Sequence, residues 1–273
     1  MKTLAGLIII ISLMVVSNIH AQNFQGIATY KSHRKMDLKI SEDKMNSDMQ
    51  KELQEQLKKQ FQQEYTLKFN KIESIYKRIE KLDKPTAPSS SGIIIKLSQG
   101  SDIMYKNIKE HRYTNKTEIS GKIFLIKDTL RTKKWELVNE TKHIGEYICF
   151  KAIFKEGYTT KTITEDGKFE DVTKERTTTV WYTPQIPVSN GPGNHFGLPG
   201  LVLEVNDGEQ TLICSKIVLN PMEVFDIEEP TKGKEVSQKE FNAIREKKNK
   251  EMMDNFQTRR GAHNEGVMIR IGG

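Results

Sequence analysis

The chain has 273 residues, a formal net charge of +7 and hydrophobic side chains at 36% of its positions. Its lysines and arginines are interleaved with glutamates and aspartates, so the basic balance does not indicate a nucleic-acid partner. The length suits one large domain, and we predict a single α+β domain over residues 22–258 with a tail over 259–273. The sequence does not indicate an oligomeric state.

The first 21 residues are typical of a secretory signal peptide. Lys2 precedes an apolar run over residues 7–16, and a cleavage site is expected after Ala21. That run is shorter than the roughly 20 apolar residues that a membrane-spanning helix needs. We therefore expect an exported mature protein without a transmembrane span, in the periplasm, at the outer membrane or outside the cell.

Two helices are predicted. Ser41 starts the first, over residues 41–63, in which apolar side chains recur at every fourth position: Met45, Met49, Leu53, Leu57 and Phe61. Ser237 and Glu240 have the spacing of a capping box and start the second helix, over residues 238–257. We expect both helices to cover a sheet. The alternative for the first helix is that it binds a partner or a membrane.

Period-2 alternation of apolar and polar residues predicts one strand before the first helix and many between the two helices. They are expected at 24–30, 65–69, 72–76, 103–107, 112–119, 122–127, 134–138, 145–154, 177–182, 201–205 and 211–219. Short connections predict antiparallel pairing, because a parallel crossover needs a dozen or more residues. A sheet this large tends to curl, which predicts a half-barrel with a concave apolar face. Alternating Val267, Ile269 and Ile271 could add an edge strand in the tail.

Cys149 and Cys214 both lie in strand-like runs, each predicted to point away from the apolar face that its neighbours form. Two cysteines in an exported chain favour one disulfide. The alternative is two free thiols on separate strands, and the sequence does not decide between them.

Residues 184–200, which we call the Pro/Gly corner, concentrate four of the chain's eight prolines. Pro199 biases Leu198 towards an extended conformation, while Gly197 and Gly200 permit a positive φ or a close backbone approach. We predict a rigid corner that feeds the next strand, set by Pro187, Gly197, Pro199 and Gly200. The alternative is a recognition loop for a ligand or partner, with candidate contacts at Trp181, Tyr182, His195, Phe196 and Leu198.

Metal and catalytic sites are not predicted. Cys149, Cys214, His143 and His195 could hold copper or zinc only if the fold brought them together. Ser189 lies near His195 and Glu204 in the sequence, but the chain has no Gly-x-Ser-x-Gly elbow. We therefore assign no catalytic residue, no metal ligand and no cofactor.

Several motifs together resemble the GLPGLI family, a group of bacterial proteins that carry signal peptides. These motifs are Trp135, residues 140–152, residues 181–187, Gly191-Pro192 and residues 197–204. The similarity covers roughly residues 100–220, with Val202 where the family name has isoleucine. It implies export and a cell-envelope setting, and it carries no established activity. It also hints weakly at a location near outer-membrane transport systems.

These observations predict a non-catalytic envelope protein that binds an apolar small molecule or a protein partner. By analogy of fold, a half-barrel of this kind resembles the periplasmic lipoprotein carriers, which hold acyl chains in a concavity. One alternative is an interaction subunit of an outer-membrane transport assembly, which predicts an exposed apolar patch. The other alternative is a protein that handles copper or zinc.

Overall fold

The computed structural model describes residues 24–34, 62–80, 102–163 and 169–260. The predicted signal peptide (1–21), nearly all of the predicted helix at 41–63 and the predicted tail strand lie outside these residues. Within the described part of the chain, no helix is both long and apolar enough to cross a membrane.

Twelve strands and one helix make up the described residues. The strands are β1 (Gln25–Arg34), β2 (Glu64–Asn70), β3 (Glu73–Arg78), β4 (Ile103–Asn107), β5 (Arg112–Ile119), β6 (Lys122–Thr129), β7 (Glu136–Ile144), β8 (Tyr147–Ile163), β9 (Phe169–Thr183), β10 (Leu201–Asn206), β11 (Gln210–Leu219) and β12 (Lys234–Val236), and the helix is α1 (Gln238–Arg260). Eleven of these strands overlap the eleven that the alternation predicts. The large β-sheet of the predicted α+β fold is therefore confirmed.

All twelve strands belong to one sheet, in the order β12-β6-β5-β4-β3-β2-β1-β11-β10-β9-β8-β7. Strands β2 to β6 form one meander and β7 to β11 form another, and β1 joins them by pairing with both β2 and β11. The prediction of a wholly antiparallel sheet is wrong at one edge, where β12 runs parallel to β6. Residues 220–233 carry the chain from β11 to this edge, and because β6 and β12 are far apart in the sequence, no short connection restricts them to antiparallel pairing.

The predicted capping box starts α1. Ser237 N–H donates to Glu240 Oε2 at 2.7 Å, and Glu240 N–H donates to Ser237 Oγ at 3.2 Å. The helix meets the sheet near its first turns, where Phe241 packs edge-on against Phe124 of β6, with ring centroids 5.7 Å apart. Two helices covering the sheet are not supported, because α1 is the only helix in the described residues and its first turns pack at the sheet edge formed by β5, β6 and β12.

The core lies on both sides of β10, whose Leu201, Val202 and Leu203 are all fully buried. Leu201 and Leu203 belong to one cluster, together with Ala28, Tyr30, Leu67, Phe69, Tyr76, Cys149, Ile186 and Val188. Val202 belongs to a second cluster, together with Ala152, Val180, Tyr182, Leu198 and Val205. A strand buried on both faces is fixed firmly, so β10 is a stable base for the Pro/Gly corner that precedes it.

Both cysteines are free thiols that contact the first cluster, which corrects the predicted orientation of their side chains. Cys149 is fully buried, whereas its neighbours Ile148 and Phe150 are 44% and 39% exposed. The reason is that Ile186 and Val188 of the corner pack in the same cluster as Cys149. Burial raises the pKa of the Cys149 thiol to about 11 and that of Cys214 to about 12, which makes both poor nucleophiles at neutral pH.

Candidate functional site

The Pro/Gly corner folds back along the start of β10. Leu201 N–H donates to Ile186 O at 3.0 Å, and Val202 N–H donates to Asn190 O at 2.9 Å. Gly200 lies so close to the end of β9 that a Cβ atom there would be 2.2 Å from Thr183 O. The corner is therefore held by backbone contacts to both strands that it connects.

Two of the predicted corner residues act as the sequence suggests. Gly197 has a φ of 91°, in the left-handed region that favours glycine, and its N–H donates to Ser189 Oγ at 3.1 Å. Gly200 provides the close backbone approach instead. Pro187 and Pro199 are exposed, so they constrain the backbone of the corner without contributing to the buried core.

A buried lysine holds the corner against the opposite meander. Lys106 of β4 is fully buried, and its Nζ donates to Gly191 O at 2.8 Å and to Gly193 O at 2.7 Å. Desolvation, aided by the positive charge of Lys133, lowers the pKa of Lys106 to about 7. A neutral or half-charged amine therefore bridges the corner and β4.

Asn190 adds a second bridge beside that lysine. Its Oδ1 accepts from Ser74 Oγ at 3.2 Å and from Gly191 N–H at 2.9 Å. Its Nδ2 is buried and has no hydrogen-bond partner among the described residues. The corner thus reaches β3 as well as β4 through polar contacts that local sequence patterns do not predict.

His195 is turned towards its own loop. Its Nδ1 lies 2.9 Å from Pro192 O, and because a carbonyl only accepts, Nδ1 carries the proton. Desolvation, followed by the charge of Lys133, lowers the pKa of His195 to about 3. The imidazole is therefore neutral at any physiological pH, and it does not act as a pH-dependent charge.

A groove with a volume of about 1140 Å³ opens beside the corner, between the second half of the first meander and β8. Met104, Tyr113 and Asn115 lie on its β4–β5 side, and Phe154 lies on its β8 side. The remaining lining residues come from the end of β6, the β6–β7 connection, the start of β7, β8, the corner through Asn194 and Phe196, and the start of α1. It is thus built from segments that are far apart in the sequence.

The aromatic wall of the groove is fixed by the corner. Trp135 Nε1–H donates to Phe196 O at 2.8 Å, and the Trp135 ring packs edge-on against Phe154 with centroids 5.8 Å apart. Lys133 Nζ lies 5.2 Å from the centroid of the Phe154 ring. A cation therefore lies next to an aromatic surface on the groove wall.

The five candidate contacts do not converge on this groove. Phe196 lines it, but Tyr182 and Leu198 are buried in the second cluster. Trp181 packs against the first cluster with Lys142 Nζ 4.4 Å from its ring centroid, and His195 bonds to Pro192 O. Adjacent Trp181 and Tyr182 do face opposite sides of β9. Asn115, Lys133 and Phe154 also line the groove, and no sequence motif marks them.

The residues considered for catalysis have separate partners. Ser189 Oγ accepts from Gly197 N–H, and Glu204 accepts from Lys142 Nζ at 2.7 Å. With His195 bonded to Pro192 O, the three side chains do not form a proton relay. Among the described residues, no three His, Cys, Asp or Glu side chains group together in a way that could hold a metal ion.

Comparison with known proteins finds a family model that matches the segment containing the corner. Residues 135–204 match the Porph_ging family, described as a protein of unknown function. This is the GLPGLI-type family that the sequence resembles. The Porph_ging segment runs from Trp135 to the middle of β10, so it includes one wall of the groove and the whole corner. No curated protein matches the chain.

Two solved structures of PNGF-II, in the C2 and P21 space groups, are similar to the chain beyond the Porph_ging segment. They are 14% and 15% identical to it, cover 81% and 80% of it, and each has a TM-score of 0.47. The match spans 32% of the length of each PNGF-II chain.

Proposed function

We propose that this is an exported, non-catalytic envelope protein that binds a small molecule with an apolar part in the groove beside the Pro/Gly corner. The groove carries the proposal, since its volume of about 1140 Å³ lies just above the roughly 300–1,000 Å³ that is usual for ligand pockets and leaves room for a small molecule. Residues 1–21, with their signal-peptide pattern, support export.

The groove also offers unused binding groups. Asn115 lines it, and Asn115 Oδ1 is a buried acceptor without a partner among the described residues. Leaving such an acceptor unpaired costs about 1–3 kcal/mol, which a ligand donor would recover. Apolar surface comes from the lining residues Met104, Leu130, Ile153, Phe154 and Phe196. The lining is more polar than the purely apolar concavity that the sequence suggests.

We expect the neutral fluorophore Nile red to bind saturably to the protein. Phe154→Ala should weaken that binding by about tenfold, because it removes an aromatic contact worth roughly 1 kcal/mol along with buried area. Ile123→Ala, which truncates a side chain 40% exposed outside the groove, is the control and should not change the affinity. Equal affinities for wild type and Phe154→Ala would place the binding elsewhere and contradict the proposal.

A second candidate function is an interaction subunit of an envelope assembly, and one observation favours it. Leu137, Ile148 and Phe150 are 62%, 44% and 39% exposed, and their strands β7 and β8 end the sheet. The register places all three side chains on one face, as an apolar patch at the open edge. Chemical cross-linking in intact cells tests this idea. A cross-linked species lost on Leu137→Lys but kept on Val172→Lys supports it, whereas no cross-linked species rejects it.

A further inference from the structure

The groove has an unbalanced charge. Nine of its lining residues are charged at neutral pH, and twice as many are cationic as acidic. The cations are Arg131, Lys133, Lys134, Lys155, Lys239 and Arg245, and the acids are Asp128, Glu136 and Glu156.

Two of the three acids already have strong partners inside the protein. Asp128 accepts from Thr129 N–H at 2.7 Å and from Gln238 N–H at 3.0 Å, which lowers its pKa and holds the start of α1. Glu156 is paired with Arg176, which does not line the groove. Both carboxylates also act at longer range on groove cations, Asp128 on Arg131 and Glu156 on Lys133, but their direct contacts are to other groups.

The cations, by contrast, are not held in close ion pairs within the described part of the chain. Among the described residues, none of the six forms a salt bridge. Lys133 Nζ has a neutral partner, Asn194 Oδ1, at 3.3 Å, and Arg245 Nη2 donates to the neutral Asn242 Oδ1 at 3.2 Å. Desolvation lowers the pKa of Lys133 even though the negative charge of Glu156 acts in the opposite direction, so this ammonium has lost more hydration than that carboxylate restores.

Apolar surface adjoins these charges. Phe154 lies beside Lys133, and Phe196 lines the same groove. A ligand with one charged end and one apolar end would contact both kinds of surface at once. A hydrated simple anion would use only the charged part.

We propose that the groove binds an anionic amphiphile, whose carboxylate or phosphate group lies against Arg131 and Lys133 and whose apolar part lies against Phe154 and Phe196. This inference rests on the proposed ligand-binding function and names its ligand class. Charge-assisted hydrogen bonds from a guanidinium and an ammonium would hold the head group. The source of the amphiphile is either a free fatty acid or a lipid phosphate.

Titration calorimetry tests the proposal with soluble amphiphiles that each have a chain of twelve carbon atoms and differ in their head groups. Laurate and dodecyl phosphate should bind at least about tenfold more tightly than neutral dodecyl maltoside, and tenfold corresponds to about 1.4 kcal/mol. Preference for laurate or for dodecyl phosphate distinguishes the two sources, and inorganic phosphate alone should bind weakly. Equal affinities for charged and neutral amphiphiles would overturn the inference.

A double variant locates the charge effect. Arg131→Gln with Lys133→Gln should weaken laurate binding by about tenfold or more, and it should weaken laurate binding far more than Nile red binding. Lys174→Gln with Lys216→Gln is the control, because both lysines are exposed outside the groove and the loss of charge is the same. If Nile red binding requires Phe154 but laurate binding is insensitive to the double variant, the anion inference fails and the proposed function stands. If neither Nile red nor any amphiphile binds, both fail.

Discussion

Gly200→Ala is expected to destabilise the protein by roughly 3 kcal/mol, the upper range for overpacking a buried site. An added Cβ would lie 2.2 Å from Thr183 O, 2.5 Å from Thr183 C and 2.8 Å from Pro184 N. These are backbone atoms at the end of β9, so the contact cannot be relieved by turning a side chain. The corner would have to shift relative to β9 and β10.

Thermal or urea unfolding measures this effect, and a loss of that size should lower the Tm by roughly 5–10 °C. Gly157→Ala is the matched control, since Gly157 lies within β8 and an added Cβ there meets nothing within 4 Å. Its stability should stay within about 0.5 kcal/mol of wild type. A Gly200→Ala protein as stable as Gly157→Ala would show that the corner does not approach β9 this closely.

Lys106→Met should destabilise the protein, by an amount that grows as the pH rises. The variant leaves Gly191 O and Gly193 O without their donor, at a cost of roughly 1–3 kcal/mol for a buried carbonyl. The variant also avoids the cost of burying an ammonium, which the wild type bears only at a pH where Lys106 is charged. At such a pH this gain partly offsets the loss of the two hydrogen bonds. The net loss is therefore smallest at low pH.

The direction of this pH dependence follows from the pKa of Lys106, which is lowered to about 7 in the fold from 10.5 for an ordinary lysine. Between these values the unfolded chain binds a proton that the folded protein does not, so the wild-type free energy of unfolding rises with pH, by roughly 1 kcal/mol per pH unit. Below about pH 7 both states are protonated and this slope disappears. The gap between wild type and Lys106→Met should then be roughly 2 kcal/mol larger at about pH 9 than at about pH 6.

Urea unfolding at both pH values measures that gap, and comparing the two proteins in the same buffers cancels the other titrating groups. Lys77→Met, at an exposed position of β3, is the control and should show a gap that does not depend on pH. A pH-independent gap for Lys106→Met would mean that the amine is not desolvated in the fold.

Most of the sheet could be predicted because its strands are buried on alternate residues. In β1, for example, Ala28, Tyr30 and Ser32 are buried while the residues between them are more exposed. The same reasoning failed where burial comes from a distant segment. Cys149 is covered through the first cluster by Ile186 and Val188, and no pattern within β8 reveals that contact.

The site was less predictable than the fold for the same physical reason. The backbone geometry of the corner could be predicted from its glycines, because a positive φ at Gly197 and a close backbone approach at Gly200 both favour glycine at those positions. Lys106 gives no such sign, since its carbonyl partner at Gly191 lies 85 residues along the chain. In the sequence, the lysines and arginines of the groove do not differ from ordinary surface cations. Only the fold places Lys133 beside Phe154.

These findings give the Pro/Gly corner a defined part in the proposal. It is a structural element held by β9, β10 and Lys106, and it contributes one wall of the groove through Asn194 and Phe196. Binding specificity is proposed to come mainly from residues outside the corner, above all the cations of the groove.

Native mass spectrometry of the protein purified from the cells that produce it, without added ligand, tests the central claim most directly. The account predicts a non-covalently bound molecule that is released as an anion with an alkyl portion. That molecule should be largely absent from the Arg131→Gln, Lys133→Gln double variant and retained by Lys174→Gln, Lys216→Gln. A wild-type spectrum with the mass of the bare chain alone, or a ligand kept equally by both double variants, would contradict it.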